Sequence, residues 1–139
     1  IKAPRPVPAI EDVPPALNFA PIENAVNGLT RAADRYKAAA ARGAGSDPAL
    51  LRAVNARLIQ SERQFIDEGG LPRRPWYRHL LYAPGYYTGY AVKTMPGVRE
   101  AIEEKNYAEA DAEIVRVARA LEREKTLIEA AAADLEKVR

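Results

Sequence analysis

The stretch "LPRRPWYRHLLYAPGYYTGYAVKTMPG", Leu71 to Gly97, decides how the 139-residue chain is read. It holds Trp76, Tyr77, Tyr82, Tyr86, Tyr87 and Tyr90, six of the ten aromatic residues, with the only His, His79, and the only Met, Met95. Pro72, Pro75, Pro84 and Pro96 lock φ and remove donors, and Gly85 and Gly89 punctuate further, so the segment cannot be one helix. Tyrosines held on a path of turns bring large apolar area with a polar tip, which suits an interface or a pocket lining. A loop of this length with no helix of its own is functional or disordered, and its aromatic content opposes disorder.

Helical spacing surrounds this segment. Toward the N-terminus, Phe19, Ile22, Val26, Leu29, Ala33, Tyr36 and Ala40 step by three and four, with Asn18 as N-cap, Pro21 in the first turn and Arg42-Gly43-Ala44-Gly45 as the stop. A second helix is predicted from Ser46 or Asp47 as N-cap, with Pro48 just inside. Its Leu51, Val54, Leu58 and Phe65 keep the spacing until Gly69-Gly70. The short connection predicts an antiparallel helix hairpin. Beyond the aromatic loop, Pro96 to Lys105 reads as a short helix and about Tyr107 to Val138 as a long one. Ala110, Ile114, Val117, Leu121, Ile128, Ala131, Leu135 and Val138 form its stripe, Glu124 interrupts it, and Ala130 to Ala133 would admit another backbone closely. A final helix longer than its partners predicts an apolar surface left for self-association. The fold class expected is all-α: a helical bundle with a helix hairpin, a long ordered aromatic loop and a long C-terminal helix.

The opening "IKAPRPVPAIEDVPP" carries Pro4, Pro6, Pro8, Pro14 and Pro15 and should be extended. Residues 1–17 read as a linker from a preceding domain or as a terminus that touches nothing, and 18–139 as the helical domain. The start at Ile1, without an initiator Met, suggests a processed product or an excised piece.

Composition removes several classes of function. A net charge of +2 arises from 21 basic and 19 acidic residues interspersed along the helices, so no strong field points at nucleic acid or anionic lipid. No apolar run approaches the length of a bilayer span. With no Cys and one His, a zinc site within the chain is not expected. There is no phosphate-cradling Gly loop, HExxH, EF-hand pattern or GxSxG. The acidic pairs Glu103-Glu104 and Asp111-Glu113 read as solvated helix faces, and His79, between Arg78 and an apolar pair, as a hydrogen-bonded structural residue. Arg73, Arg74 and Arg78 interleaved with Trp76 and Tyr77 would suit a nucleic-acid stacking platform, against which the charge balance argues.

The run "FIDEGGLPRRPWYRHLLYAPGYYTGYAVKTMPGVREAI" resembles the C-terminal helical domain of the glutamate carboxypeptidase II family. These are zinc peptidases related to the transferrin receptor, and they include the N-acetylated-α-linked acidic dipeptidases. Phe65-Ile66-Asp67, Gly70-Leu71-Pro72, Arg74-Pro75, Tyr77-Arg78-His79, Tyr82-Ala83-Pro84, Tyr90-Ala91 and Pro96-Gly97 carry the resemblance most specifically. It extends from about Asn18 to the C-terminus and is nearer to the peptidase branch than to the receptor branch.

The resemblance implies a division of labour. A protease domain, absent from this chain, would supply two zinc ions and the catalytic glutamate; the helical domain would give the homodimer contact and a loop over the substrate's C-terminal residue. Tyr90 falls where the family places a tyrosine that hydrogen-bonds the substrate's α-carboxylate. Gly89 falls where the best-known members carry a lysine for the glutamate side chain, which puts glutamate preference in doubt; Lys93 is close enough in sequence to be a substitute. Arg78, His79, Tyr82 and Pro84 would scaffold the loop. The implied function is the dimerisation and pocket-completing domain of an exported zinc carboxypeptidase or dipeptidase, periplasmic or extracellular, not catalytic alone. Its partners would be a second copy, its own protease domain and a peptide, with no nucleic acid and no membrane. The alternative is a free-standing helical adaptor that binds a protein through its Tyr-rich loop.

Overall fold

A computed structural model describes residues 5–42 and 47–137. Its elements in chain order are α1 (Ala20–Ala41), α2 (Pro48–Leu58), a 3-10 turn (Glu62–Phe65), β1 (Tyr82–Pro84), β2 (Val92–Thr94), α3 (Pro96–Glu103) and α4 (Tyr107–Glu136). The chain is mostly helical, and α4 organises it: α1, α2, α3 and the 3-10 turn all pack on this helix.

The long helix starts where Asn106 Oδ1 accepts from the Glu109 backbone N–H at 3.2 Å, and runs for 30 residues rich in good helix formers. Ala110, Ile114, Val117, Leu121, Ala131 and Leu135 of the expected stripe are buried, and Ile128 is half-buried. α1 runs parallel to it, as the pairing of Arg35 with Glu136 and the approach of Lys125 to Gly28 require. α2 runs antiparallel: Arg57 meets Asp134, and further on Gln64 accepts from Arg123.

Two apolar clusters result. One joins α1, the aromatic segment, α3 and the first half of α4 through Ala25, Leu71, Leu80, Ala83, Val98, Ile114, Val117 and Leu121. The other joins α1, α2 and the end of α4 through Ala39, Val54, Ala131 and Leu135. Glu124 lies on α4 between them, buried, and its Oε2 has no hydrogen-bond partner among the described residues.

Several sequence-based expectations are corrected. The fully buried line of α1 is made of the small residues Ala25, Gly28, Ala32 and Ala39; Ile22, Leu29, Tyr36 and Ala40 of the expected stripe pack beside it, and Val26 is exposed. Close approach of two backbones selects the smallest side chains. α1 and α2 each pack chiefly on α4, whose Ala131 and Ala132 are fully buried, and both contribute to the cluster around Ala39 and Val54. The helix begins at Ala20, with Asn18 Oδ1 accepting from the Ala20 N–H at 3.0 Å from one residue further out than expected. Asp47 caps α2, accepting from Ala49 N at 2.9 Å, but α2 stops at Leu58 and Phe65 reaches the core from the 3-10 turn. The chain is not purely helical, because β1 and β2 pair inside the aromatic segment. Among the described residues, Val115 is the one large hydrophobic of α4 that is exposed. Glu113 is buried rather than solvated, paired with Arg116 at 2.7 Å.

Residues 5–16 form no helix or strand and are exposed; Leu17 packs on the first cluster. No helix is long and apolar enough to cross a membrane among the described residues. The expectations placed on Pro4, Gly43 to Ser46 and Val138 lie outside the described residues.

Candidate functional site

The aromatic segment is a folded structure with two storeys. In the lower one the chain doubles back: Leu80 donates to Phe65 at 2.9 Å, Asp67 to the Arg78 carbonyl at 2.9 Å, and Leu71 to Tyr77 at 2.8 Å. Gly70 permits this turn, since its φ is +66° and a Cβ there would overlap the Pro75 backbone. Arg116 of α4 ties the turn down, donating to Gly70 O at 2.8 Å and pairing with Asp67 at 2.9 Å. Leu80 seals this storey to the core, 1% exposed.

The upper storey is an antiparallel hairpin in which Tyr82 faces Thr94, Ala83 faces Lys93 and Pro84 faces Val92. Its tip closes by Gly85 N to Ala91 O at 3.1 Å and Gly89 N to Gly85 O at 2.7 Å. Gly89 sits at φ +58°, with open space where a Cβ would stand. Tyr90 follows and is 96% exposed. Met95, at φ +46°, turns the chain into α3, where Pro96 and Gly97 are buried.

Ion pairs fix this tip from three sides. The buried guanidinium of Arg74 pairs with Glu100 of α3 at 2.5 Å and donates to the Pro84 carbonyl at 2.7 Å, with the Tyr77 and Tyr86 rings over it, each centroid 5.7 Å away. Arg73, at φ +62°, pairs with Glu109 at 3.0 Å and reaches Glu104 at 3.5 Å; these carboxylates hold the guanidinium firmly charged. Glu104 beside the Tyr87 hydroxyl raises that phenol's pKa. On the opposite strand Lys93 pairs with Glu103 at 2.5 Å, and its ammonium is the main cause of the lowered Glu103 pKa.

The four scaffold residues have different places. His79 and Tyr82 stack with centroids 3.9 Å apart, and Glu62 Oε2 bonds both, His79 Nε2 at 3.0 Å and the Tyr82 hydroxyl at 3.3 Å. The Leu81 N–H donates to His79 Nδ1 at 3.3 Å, so Nε2 carries the proton offered to Glu62. The Glu62 charge raises the Tyr82 pKa. Pro84 supplies the carbonyl that Arg74 holds, whereas Arg78 contributes its backbone and leaves its side chain in solvent. Neither His79 nor Arg78 points at Tyr90 through any bond.

Sequence reasoning treated Arg73 and Arg74 as a possible stacking surface and did not find their acidic partners. The available signal was Glu100: it lies between Val98 and Ala101 on the apolar face of a short helix, where an acid needs a counter-charge. No group of three or more His, Asp or Glu able to hold a metal occurs among the described residues. The residues present therefore do not fit the zinc ions that the resemblance implies for a separate protease domain.

The family model for the transferrin receptor-like dimerisation domain matches residues 17–129, and the chain belongs to that family. It is similar to a probable glutamate carboxypeptidase from Arabidopsis thaliana, 47% identical over 53 residues, covering 38% of this chain and 8% of the relative. A probable glutamate carboxypeptidase from Arthroderma benhamiae is 43% identical over 75 residues, covering 54% of this chain and 10% of that protein. An inactive zinc metalloprotease from Schizosaccharomyces pombe is 37% identical over 73 residues, covering 52% and 9%. The chain spans about a tenth of the length of these relatives.

Proposed function

We propose that this domain dimerises a zinc-dependent carboxypeptidase or dipeptidase and completes its substrate pocket, with residues 1–17 leading from a preceding protease domain. The observation that carries the reading is Tyr90, presented in solvent at the tip of a hairpin whose two strands are held by Arg74 at the Pro84 carbonyl and by Lys93 at Glu103. A free hydroxyl on a braced support is suited to donate to an α-carboxylate, with the tyrosine's own rotamers but little backbone left to order at binding. Gly89 offers no charge beside it, and Lys93 is engaged by Glu103, so neither supplies a site for a glutamate side chain. The chemistry on the scissile bond belongs to zinc and residues outside this chain.

For self-association, the supporting feature is the open groove of about 530 Å³ between α2 and α4, where Ala53, Ala56, Leu127 and Ala130 lie among the polar side chains of Arg57, Gln60, Gln64, Arg123 and Thr126. A two-fold contact of that face on itself would be isologous.

The test is Tyr90→Phe in the full-length protein. A hydrogen bond to a charged group contributes roughly 1.5–3 kcal/mol, so peptide kcat/KM should fall about ten- to a hundred-fold at unchanged zinc content and unchanged dimer mass by light scattering. An unchanged kcat/KM would overturn the pocket role, and a monomeric active protein the dimer role. A second reading, an interaction domain on a parent without peptidase activity, is favoured by the likeness to the Schizosaccharomyces pombe protein named as inactive. No hydrolysis by the full-length, zinc-loaded protein would select it.

A further inference from the structure

We propose that Arg74 is the positioning residue of the tyrosine hairpin, fixing where Pro84 leaves the core and so where Tyr90 is presented. This deepens the pocket reading above and rests on it for the substrate. Arg74 is only 3% exposed, in a segment whose other arginines, Arg73 and Arg78, lie at the surface. Its two terminal nitrogens serve different elements: Nη2 bonds Glu100 Oε1 on α3, and Nη1 bonds the Pro84 carbonyl at the end of β1. The planar fork holds those two directions at a fixed angle, so the register between helix and strand end is set by the shape of one side chain.

The Tyr77 and Tyr86 rings cover the guanidinium and add cation–π attraction. Water is kept from the bond that matters, because Arg74 and Glu100 are both almost fully buried. Tyr86, held this way, lies four residues before Tyr90 and on the same short tip. The far strand has its own tether in Lys93–Glu103, whereas Arg74 holds the Pro84 end, to which Gly89 and Ala91 on either side of Tyr90 are bonded through Gly85. A lysine at position 74 keeps the charge opposite Glu100, but its ammonium is a compact donor on a flexible stem without the planar fork that fixes the angle between the two acceptors. That variant therefore separates positioning from mere neutralisation of Glu100.

The experiment uses the full-length protein with Arg74→Lys, read first by amide hydrogen exchange. Exchange at Gly85 and Gly89 should quicken about ten-fold or more while the amides in the middle of α4 keep their rates, since losing a bond to a charged group releases the tip and not the core. Should Arg74→Lys fail to fold, Glu100→Gln keeps an acceptor for Nη2 while removing its charge, and the same two amides should respond. Unchanged exchange at the tip in the folded variant overturns the proposal.

The second arm is kinetic. Arg74→Lys should raise KM for a dipeptide about ten-fold with kcat nearly constant, and should add nothing in a Tyr90→Phe background. Full additivity of the two changes would overturn the claim that Arg74 acts through Tyr90. If Tyr90→Phe alone is silent, the substrate reading fails, and the exchange rates still decide whether Arg74 positions the hairpin.

Discussion

Replacing Gly89 by lysine asks whether the empty position beside Tyr90 is what denies the pocket a charge. Gly89 has φ +58°, and a Cβ there meets nothing within 4 Å. The cost of a side chain is then a backbone cost, about 1–2 kcal/mol for an L-residue in the left-handed region, with no overlap to add. The bond from Gly89 N to Gly85 O at 2.7 Å survives, because any residue but proline can donate it. An ammonium reaching the side chain of a C-terminal glutamate would contribute roughly 1.5–3 kcal/mol, about ten- to a hundred-fold. The two terms are separable. Backbone strain lowers kcat/KM equally for every substrate, so it cancels in a ratio, whereas the new charge acts on the acidic substrate alone. The assay is kcat/KM of the full-length protein on dipeptides that differ only in a C-terminal Glu or Leu. Wild type should accept Leu at least as well as Glu; Gly89→Lys should move the ratio about ten- to a hundred-fold toward Glu. Gly89→Ala, with the strain and no charge, should leave the ratio where it was. A wild-type enzyme already favouring Glu a hundred-fold would refute the reasoning, as would a ratio unmoved by the lysine.

Leu80→Ala removes the large side chain that seals the aromatic segment to the core; at 1% exposure it should cost about 2–5 kcal/mol in urea unfolding of the full-length protein. A loss below about 0.5 kcal/mol, the range of surface substitutions, would mean that the segment is not packed as described. At the other end, Lys137 and Arg57 lower the Asp134 pKa, and Arg35 lowers that of Glu136. Depressed carboxylates stabilise above their unfolded values, about 3.9 for Asp and 4.3 for Glu, and that contribution is lost as pH falls through the folded values. Thermal melts between neutral pH and about pH 3 should therefore show α4's end loosening from α1 and α2 first, less so in high salt; amide exchange there that ignores acid would contradict it.

Legibility in the sequence differed from element to element for physical reasons. α4 could be read almost completely, because Ile114, Val117, Leu121 and Leu135 are large, apolar and spaced at the helical period. α1 obeys the same period, but its fully buried line is Ala25, Gly28, Ala32 and Ala39, and hydrophobicity ranks such residues below the Val26 that faces solvent. The ladder of β1 and β2 is three residues per strand and is supported by Arg74 and Lys93 rather than by alternation, so no period-2 signal exists to be found. The Tyr90 tip was reached through resemblance. Periodicity is silent about a residue that faces solvent, as Tyr90 does. Arg74 and Glu100 stand 26 positions apart, and only the fold brings them together.

The account turns on Tyr90 meeting a substrate's C-terminal carboxylate. The measurement closest to that claim is a crystal structure of the full-length protein with a dipeptide or its product amino acid bound. The account predicts the Tyr90 hydroxyl about 2.5–3.0 Å from an α-carboxylate oxygen, with the Arg74–Glu100 pair intact beneath the hairpin. A bound ligand whose carboxylate is held by other residues, with Tyr90 still in open solvent, would contradict it.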